Sequence, residues 1–462
     1  MRCIGIDLGS TYLKGAVLDT SRCRLTHIRR SAFPSPIQGL SALRREYDPN
    51  QVVVAARELL EGLSAVAPDA GAILVCSQLH GLVFCNDRGS PQGNLITWQD
   101  QRALEVDADG RSSFQRYRDA LSEELLAELG NEPRPGTPVN TLLWLHLRNR
   151  LPPDGLIAAP LPSFVISALS GEPPRTDPSH ACGHGLLNLA EGSWHRGALD
   201  ALGLTAVRLP EIVPSGSPIA AARICGRDIP TLAPIGDFQC SQIGALLEHE
   251  ELGINISTGS AVIQRQVTPR SGNFQVRPFI DGEFARTVTH IPGGRALKVL
   301  VTLLTELGGR GGAASDDPWP YINSQAERAD PAGLVVSPSF YYSAVGDTGS
   351  ILGASESNLN VGSLFRATYA GMVENYYSCA ARLCPGGNLR RLVFSGGVAM
   401  KNGLLRRLIT ERFGCGSRLS PSPEDTLLGL LVCAVAHAET GGSVTTAIER
   451  VRSALATDTT LP

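Results

Sequence analysis

This chain is sparing with charge. Only 18% of its 462 residues are Asp, Glu, Lys or Arg, and the formal net charge is -3. Lys and Arg are scattered without a basic run, which argues against a nucleic-acid or membrane-surface partner. No apolar stretch reaches the roughly 18 residues a membrane span needs; the longest, residues 426–438, reads as a short buried helix. The opening Met1-Arg2-Cys3-Ile4-Gly5-Ile6-Asp7 is broken by an acid and is not followed by a small-residue cleavage region, so no secretory signal is expected. The 11 cysteines are odd in number and never form C-x-x-C. They sit mostly in apolar segments, the pattern of small core residues in a reduced, cytoplasmic protein rather than of a disulfide or zinc framework. The G-x-x-x-x-G-K-[ST] phosphate loop is absent as well; Lys14 lies in a strand pattern and reads as a solvated strand lysine.

What is present is a well-buried composition, 43% hydrophobic, in a chain too long for one core, so two domains are expected. Residues 2–6, 13–18 and 24–30 read as three hairpin-linked strands. A helix is expected over 50–67, with Val52, Ala55, Ala56, Leu59, Leu60 and Leu63 on one face, and then a buried strand over 73–76. Strands followed by alternating helix and strand predict an α/β layer fold. Prolines bracket loops around 133–138, 152–162 and 173–174, with short helices at 141–147 and 163–169; this reads as an elaboration of the first domain. The opening pattern then restarts. Gly253-Ile254-Asn255-Ile256-Ser257-Thr258-Gly259-Ser260 is again an apolar strand, a Gly/Ser/Thr turn and a second strand, which points to a duplicated domain. Asn255 stands where the first copy has Asp7. The expected division is 1–245 and 246–445, with late helices at 364–383, 402–413 and 426–437 and a weakly apolar helix after them.

Chemistry gathers at the strand ends. In Asp7-Leu8-Gly9-Ser10-Thr11, glycine permits a sharp turn whose N–H and hydroxyl groups meet phosphate oxygens, and a strand-end carboxylate suits Mg2+. A plain hairpin turn has the same pattern; the second turn, with Thr258, Gly259 and Ser260, tips the balance, since two such turns facing each other would clamp a triphosphate. Ser77-Gln78-Leu79-His80-Gly81 and Trp98-Gln99-Asp100-Gln101-Arg102 both follow strands, where open α/β sheets bind ligands. Gln78 and His80 would bond hydroxyls, and Trp98 would cover a carbon face, as in a polyol pocket. Asp237, in Gly236-Asp237-Phe238-Gln239, stands before the restart, where a base for hydroxyl attack is needed; a helix N-cap is the alternative. Gly396-Gly397, running into Asn402, and Gly293-Gly294 suit the close approach of a nucleotide to backbone. Asp347-Thr348-Gly349-Ser350 matches the aspartic-protease string, but no D-[TS]-G partner exists elsewhere, so it reads as a turn.

Taken in order, these motifs resemble the FGGY carbohydrate kinases, over about residues 2 to 440. Asp7–Thr11 and Ser257–Ser260 look like that family's phosphate loops, Ser77–Gly81 and Trp98–Arg102 its sugar motifs, Gly236-Asp237 its catalytic motif and Gly396-Gly397 its adenosine motif. The resemblance implies two actin-like (ribonuclease H-like) ATPase domains around a central cleft, ATP mostly against the second domain and a small sugar against the first. It implies Asp237 as base, Gln78, His80, Trp98, Asp100, Arg102 and Phe238 toward the sugar, and Asp7 toward Mg2+. Gly9, Ser10, Thr11, Thr258, Gly259, Ser260, Gly293, Gly294, Gly396, Gly397 and Asn402 fall toward ATP. Phe238 departs from the Asn or Gln many relatives carry beside the base, which favours the branch acting on the seven-carbon ketose sedoheptulose. A xylulokinase-like enzyme and a non-catalytic sugar-binding regulator on the same fold stand as alternatives. Residues 338–350 lack the family's usual segment and contribute no expected site. A monomer or homodimer is expected.

Overall fold

The structure, a computed structural model, describes residues 1–309, 317–386, 389–439 and 441–457. Arg2–Leu8, Tyr12–Asp19 and Arg24–Ala32 form an antiparallel meander; Ile73–Ser77 lies parallel to the first of these on its other side, followed by Arg227–Leu232 and the edge strand Pro218–Ile224. The second sheet repeats this order. Glu251–Ile256, Gly259–Gln266 and Phe284–Pro292 form its meander, Arg391–Ser395 and Gly416–Leu419 lie parallel beyond the first of them, and Gln275–Pro278 extends the meander edge. The duplication expected from the sequence is thus a repeated strand order, and each copy is an actin-like, ribonuclease H-like unit.

The local sequence explains the elements. The first strand is buried along both faces from Cys3 to Leu8, as a near-continuous apolar run demands. The helix Pro49–Val66 starts where the Asp48 side chain accepts from the Asn50 N–H and Pro49 needs no partner. Its Val52, Ala56, Leu59, Leu60 and Leu63 are buried in one core with Ile4, Ile6 and Val17. Val361–Leu383 plays the same part in the second sheet's core. The middle of the chain has a small core of its own around Tyr117, Leu142, Leu143 and Leu186.

Two helices, Asp237–Gly244 and Asp425–Glu439, share a third core. It joins Cys3, Leu18, Leu74 and Cys76 of the first sheet with Ile263, Ala285 and Val393 of the second. The helices cross at glycine. A Cβ on Gly244 would sit 1.9 Å from the Asp425 carbonyl oxygen, and one on Gly429 would sit 2.0 Å from that of Cys240. No side chain fits there, so backbone packs on backbone. The expected helix at 426–437 is this buried element. No single described helix is long and apolar enough to cross a membrane.

Candidate active site

Register places the acids. Asp7 pairs across to Cys76 on the parallel neighbour, and Cys76 pairs to Ile235 on the short strand Ile235–Gly236. Asp237, the first residue of the following helix, therefore emerges at the same edge of the sheet as Asp7. The half-buried Asp237 accepts the Phe238 N–H at 2.7 Å. Burial, with the nearby Asp7 charge second, pushes its carboxyl up to about 7, since two close carboxylates resist sharing full ionisation. Asp7 is raised too, by burial, against the opposing pull of Thr426 and Lys14. Its Oδ2 accepts the Thr426 hydroxyl at 2.7 Å. Its Oδ1 is buried with no partner, an acceptor held ready for something the protein does not supply.

The hydroxyl-facing candidates divide into open and closed groups. Gln78 is 3% exposed, and neither atom of its amide has a partner. His80 has a positive φ of 65°. Burial lowers its pKa to about 4, so it is neutral; its Nδ1 meets the Gly183 carbonyl at 2.6 Å, which leaves Nε2 as an acceptor. Trp98 is 41% exposed and presents a face. Asp100 and Arg102 are different. The Arg102 guanidinium donates to both Asp100 oxygens at 2.8 Å, and Asp100 also takes the Arg45 N–H. Both are buried, so they lock the loop carrying Trp98 and are not free partners. Phe238 lies 4.2 Å under the Arg277 guanidinium.

On the nucleotide side, the turns are packed tightly. Gly396 has φ 88°, and a Cβ there would lie 2.5 Å from the Ser257 hydroxyl. A Cβ on Gly293 would meet Ser260 Oγ at the same distance. Gly294 and Arg295 donate their N–H groups to the carbonyls of Ser257 and Thr258, each at 2.8 Å. Thr258 and Gly259 are exposed, as is Thr11 in the first turn, while Gly9 and Ser10 are half-buried. Gly397 faces open space. Two residues point inward: Ser260 bonds the Tyr376 hydroxyl at 3.0 Å, and Asn402 caps the helix Gly403–Phe413 through the Leu405 N–H at 2.9 Å.

Comparison with known proteins fits this arrangement. The model of the FGGY carbohydrate kinase N-terminal domain matches residues 2–244, and that of the C-terminal domain residues 293–438. The chain belongs to the FGGY family of carbohydrate kinases. As a member it is an ATP-dependent kinase acting on a small sugar. It is 24% identical to sedoheptulokinase of Mus musculus over 89% of this chain and 92% of that one. It is 27% identical to xylulose kinase of Lactococcus lactis over 59% of this chain and 54% of the other. The fold superposes on Plasmodium falciparum glycerol kinase with ADP at TM-score 0.82, with 18% identity and 98% and 92% of the two chains covered.

Residues that sequence reading passed over also meet at this edge. Asp425 and Thr426 open the buried helix together. Asp425 accepts the Ser420 hydroxyl while Thr426 holds Asp7, so two adjacent residues fix the helix start and the first turn. Lys14 is not a solvated lysine: its Nζ lies 3.1 Å from Glu424, which Arg30 also engages, and its charge acts on Asp7 and Asp425. Ser422-Pro423-Glu424-Asp425-Thr426 was legible as a polar cluster at a helix start, but capping alone explains such clusters. Glu132, Arg134 and Arg277 join the two halves near His80 and Phe238, and no spacing in the sequence links them.

Proposed function

We propose that the kinase phosphorylates sedoheptulose on its terminal hydroxyl, giving sedoheptulose 7-phosphate, with Asp237 as the base. The observation that supports the base role is a carboxylate at the sheet edge, open on one side, raised to about 7 and beside a second acid. Near neutral pH such a group takes a proton readily as the hydroxyl attacks. When bound, ATP supplies the phosphoryl group and Mg2+ balances its charge. The residues present suit both. Gly293, Gly294, Gly396 and Gly397, with the Gly9–Thr11 and Thr258–Gly259 turns, would hold the nucleotide; the tight surroundings of Gly293, Gly294 and Gly396, which leave no room for a Cβ, support this. Asp7, with its unpartnered Oδ1, would hold Mg2+. Among the described residues no group of three or more His, Cys, Asp or Glu is arranged to hold a metal ion, and Mg2+ in phosphate sites needs only one or two carboxylates.

Gln78 and His80 would bond sugar hydroxyls, and Trp98 would lie against the carbon chain in a loop fixed by Asp100 and Arg102. The similarity to sedoheptulokinase along most of both chains and the apolar Phe238 beside the base support a long ketose whose far hydroxyl reaches Asp237. A site that bonds substrate hydroxyls rejects analogues lacking them, because its own groups are left unpaired. The test is kcat/KM for sedoheptulose, xylulose, ribulose and glycerol under one condition. Sedoheptulose should lead. Any shorter acceptor that exceeds it overturns the substrate and leaves the kinase standing, with xylulose the main rival given the similarity to xylulose kinase.

A further inference from the structure

Between the sugar wall and the base lies a buried ion pair that the chemistry above leaves unused. Glu132 belongs to the first half and follows the helix Glu123–Glu128; Arg277 lies on Gln275–Pro278 of the second sheet. Arg277 grips both oxygens of Glu132, Nε on Oε2 at 3.0 Å and Nη2 on Oε1. The two side chains are 5% and 7% exposed. Arg134 Nη1 stands 3.2 Å from the same Oε1 and its Nη2 donates to Thr289. His80 Nε2 is 3.9 Å away. Attraction from the two guanidinium groups, Arg277 first and Arg134 second, keeps Glu132 ionised in spite of burial.

Arg277 has a second carboxylate within its field. Its guanidinium covers the Phe238 ring at 4.2 Å, one residue from Asp237, and each of the two charges acts on the other. The remaining charged or titratable neighbours that act on Asp237 are Asp7 from the first strand and the thiols of Cys76 and Cys240. None of these is a cation. A buried guanidinium deprived of its acid is strongly unfavourable and turns to the nearest other one. Here the other carboxylate whose charge acts on Arg277 is Asp237, next to the Phe238 ring that the guanidinium covers.

We propose that Glu132 is a positioning residue for phosphoryl transfer: by binding Arg277 at both oxygens it keeps the guanidinium off Asp237 and leaves that carboxylate free to accept the sugar proton. This rests on the reading of Asp237 as base. The inference makes the interdomain pair more than a fastening. It also explains why an arginine can lie over Phe238 without silencing the group beside it.

The experiment measures kcat, sugar KM and Tm for wild type, Glu132→Gln, Glu132→Gln with Arg277→Met, and Asp237→Asn. Glu132→Gln should lower kcat by roughly 10- to 100-fold, part of what general-base help is worth, with sugar KM within about threefold. Adding Arg277→Met removes the stranded charge and lets a flexible thioether cover Phe238, so kcat should recover at least about tenfold. Glu132→Gln at the wild-type kcat, a rise in KM alone, or a double variant no better than the single one overturns the proposal. If the single variant does not fold, the double variant decides by itself. It should stay within about tenfold of wild type, and a loss beyond about 100-fold counts against the inference. Turnover retained in Asp237→Asn removes the base reading itself, and is told apart from failure of the Glu132 inference by that variant alone.

Discussion

The turn after the first strand and its repeat after Glu251–Ile256 have the same backbone plan and opposite contents. The first carries Asp7, with one oxygen on Thr426 and the other unpartnered. The second carries Asn255, whose amide donates to Ser395 at 3.0 Å, and turn carbonyls that Gly294 and Arg295 bond from the next turn. One copy keeps an uncompensated acceptor; the other is closed upon itself. The frame occurs twice, and at this strand end the acid stands in one copy and an amide in the other. The turn with the unmet acceptor is where chemistry is to be sought, and the bonded turn is the more passive seat.

The sharpest way to break this contrast is Asp237→Asn, which removes the second acid of the first half. Turnover should fall by about 100- to 10,000-fold while calorimetry still detects sugar binding. Because the wild-type carboxyl is pushed up to about 7, wild-type kcat/KM should drop as pH falls through that value and the base takes a proton. Stability has the opposite sign. In the unfolded chain the group titrates at about 3.9. Between the two values the folded state binds the extra proton, so Asp237's contribution to stability is full below the lower value and is lost as pH rises toward the upper one. At pH 8 the asparagine variant should therefore melt higher than wild type, and a lower Tm would contradict the origin assigned to the shift.

Next in size is Asp7→Asn, which makes the first turn a copy of the second. The Mg2+ concentration for half-maximal rate should rise by about tenfold or more; an unchanged Mg2+ titration would remove Asp7 from the metal. Gly396→Ala tests the second half. A side chain at φ 88° costs about 1–2 kcal/mol and strikes the Ser257 hydroxyl, so the ATP KM should rise by roughly tenfold with sugar binding unaltered. The smallest effect belongs to Asn255→Asp, the reverse swap. The Ser395 hydroxyl can turn and donate to the new carboxylate, so activity should stay within about twofold. A large loss there would show that the second turn is not the passive seat described.

The central strands of both copies were legible because their apolar runs are short, buried and interrupted by Gly/Ser/Thr turns, whereas the strands over 218–232, 275–292 and 416–419 were not read. The late helices were legible from their apolar spacing. Proline misled in part. Pro138 and Pro162 were read as loop brackets, yet each lies in the first turn of a helix, Pro138–Leu147 and Leu161–Ser170, where a missing N–H costs nothing. Asp7, Gln78 and Asp237 were legible as polar groups at strand ends. That Asp100 and Arg102 close on each other, and that Ser260 turns inward to Tyr376, were not, because burial of a polar side chain depends on what arrives from elsewhere in the chain. The same reason hid Glu132 and Arg277, which are 145 residues apart.

The bond from Thr426 to Asp7 spans 419 residues. It joins two residues made far apart in time on the ribosome. At synthesis rates of about 5–20 residues per second, Asp7 waits roughly 20 to 80 s for its partner. Through that interval the first sheet lacks the helix that covers Leu18 and Leu74, so a nascent or truncated chain displays a sticky apolar face.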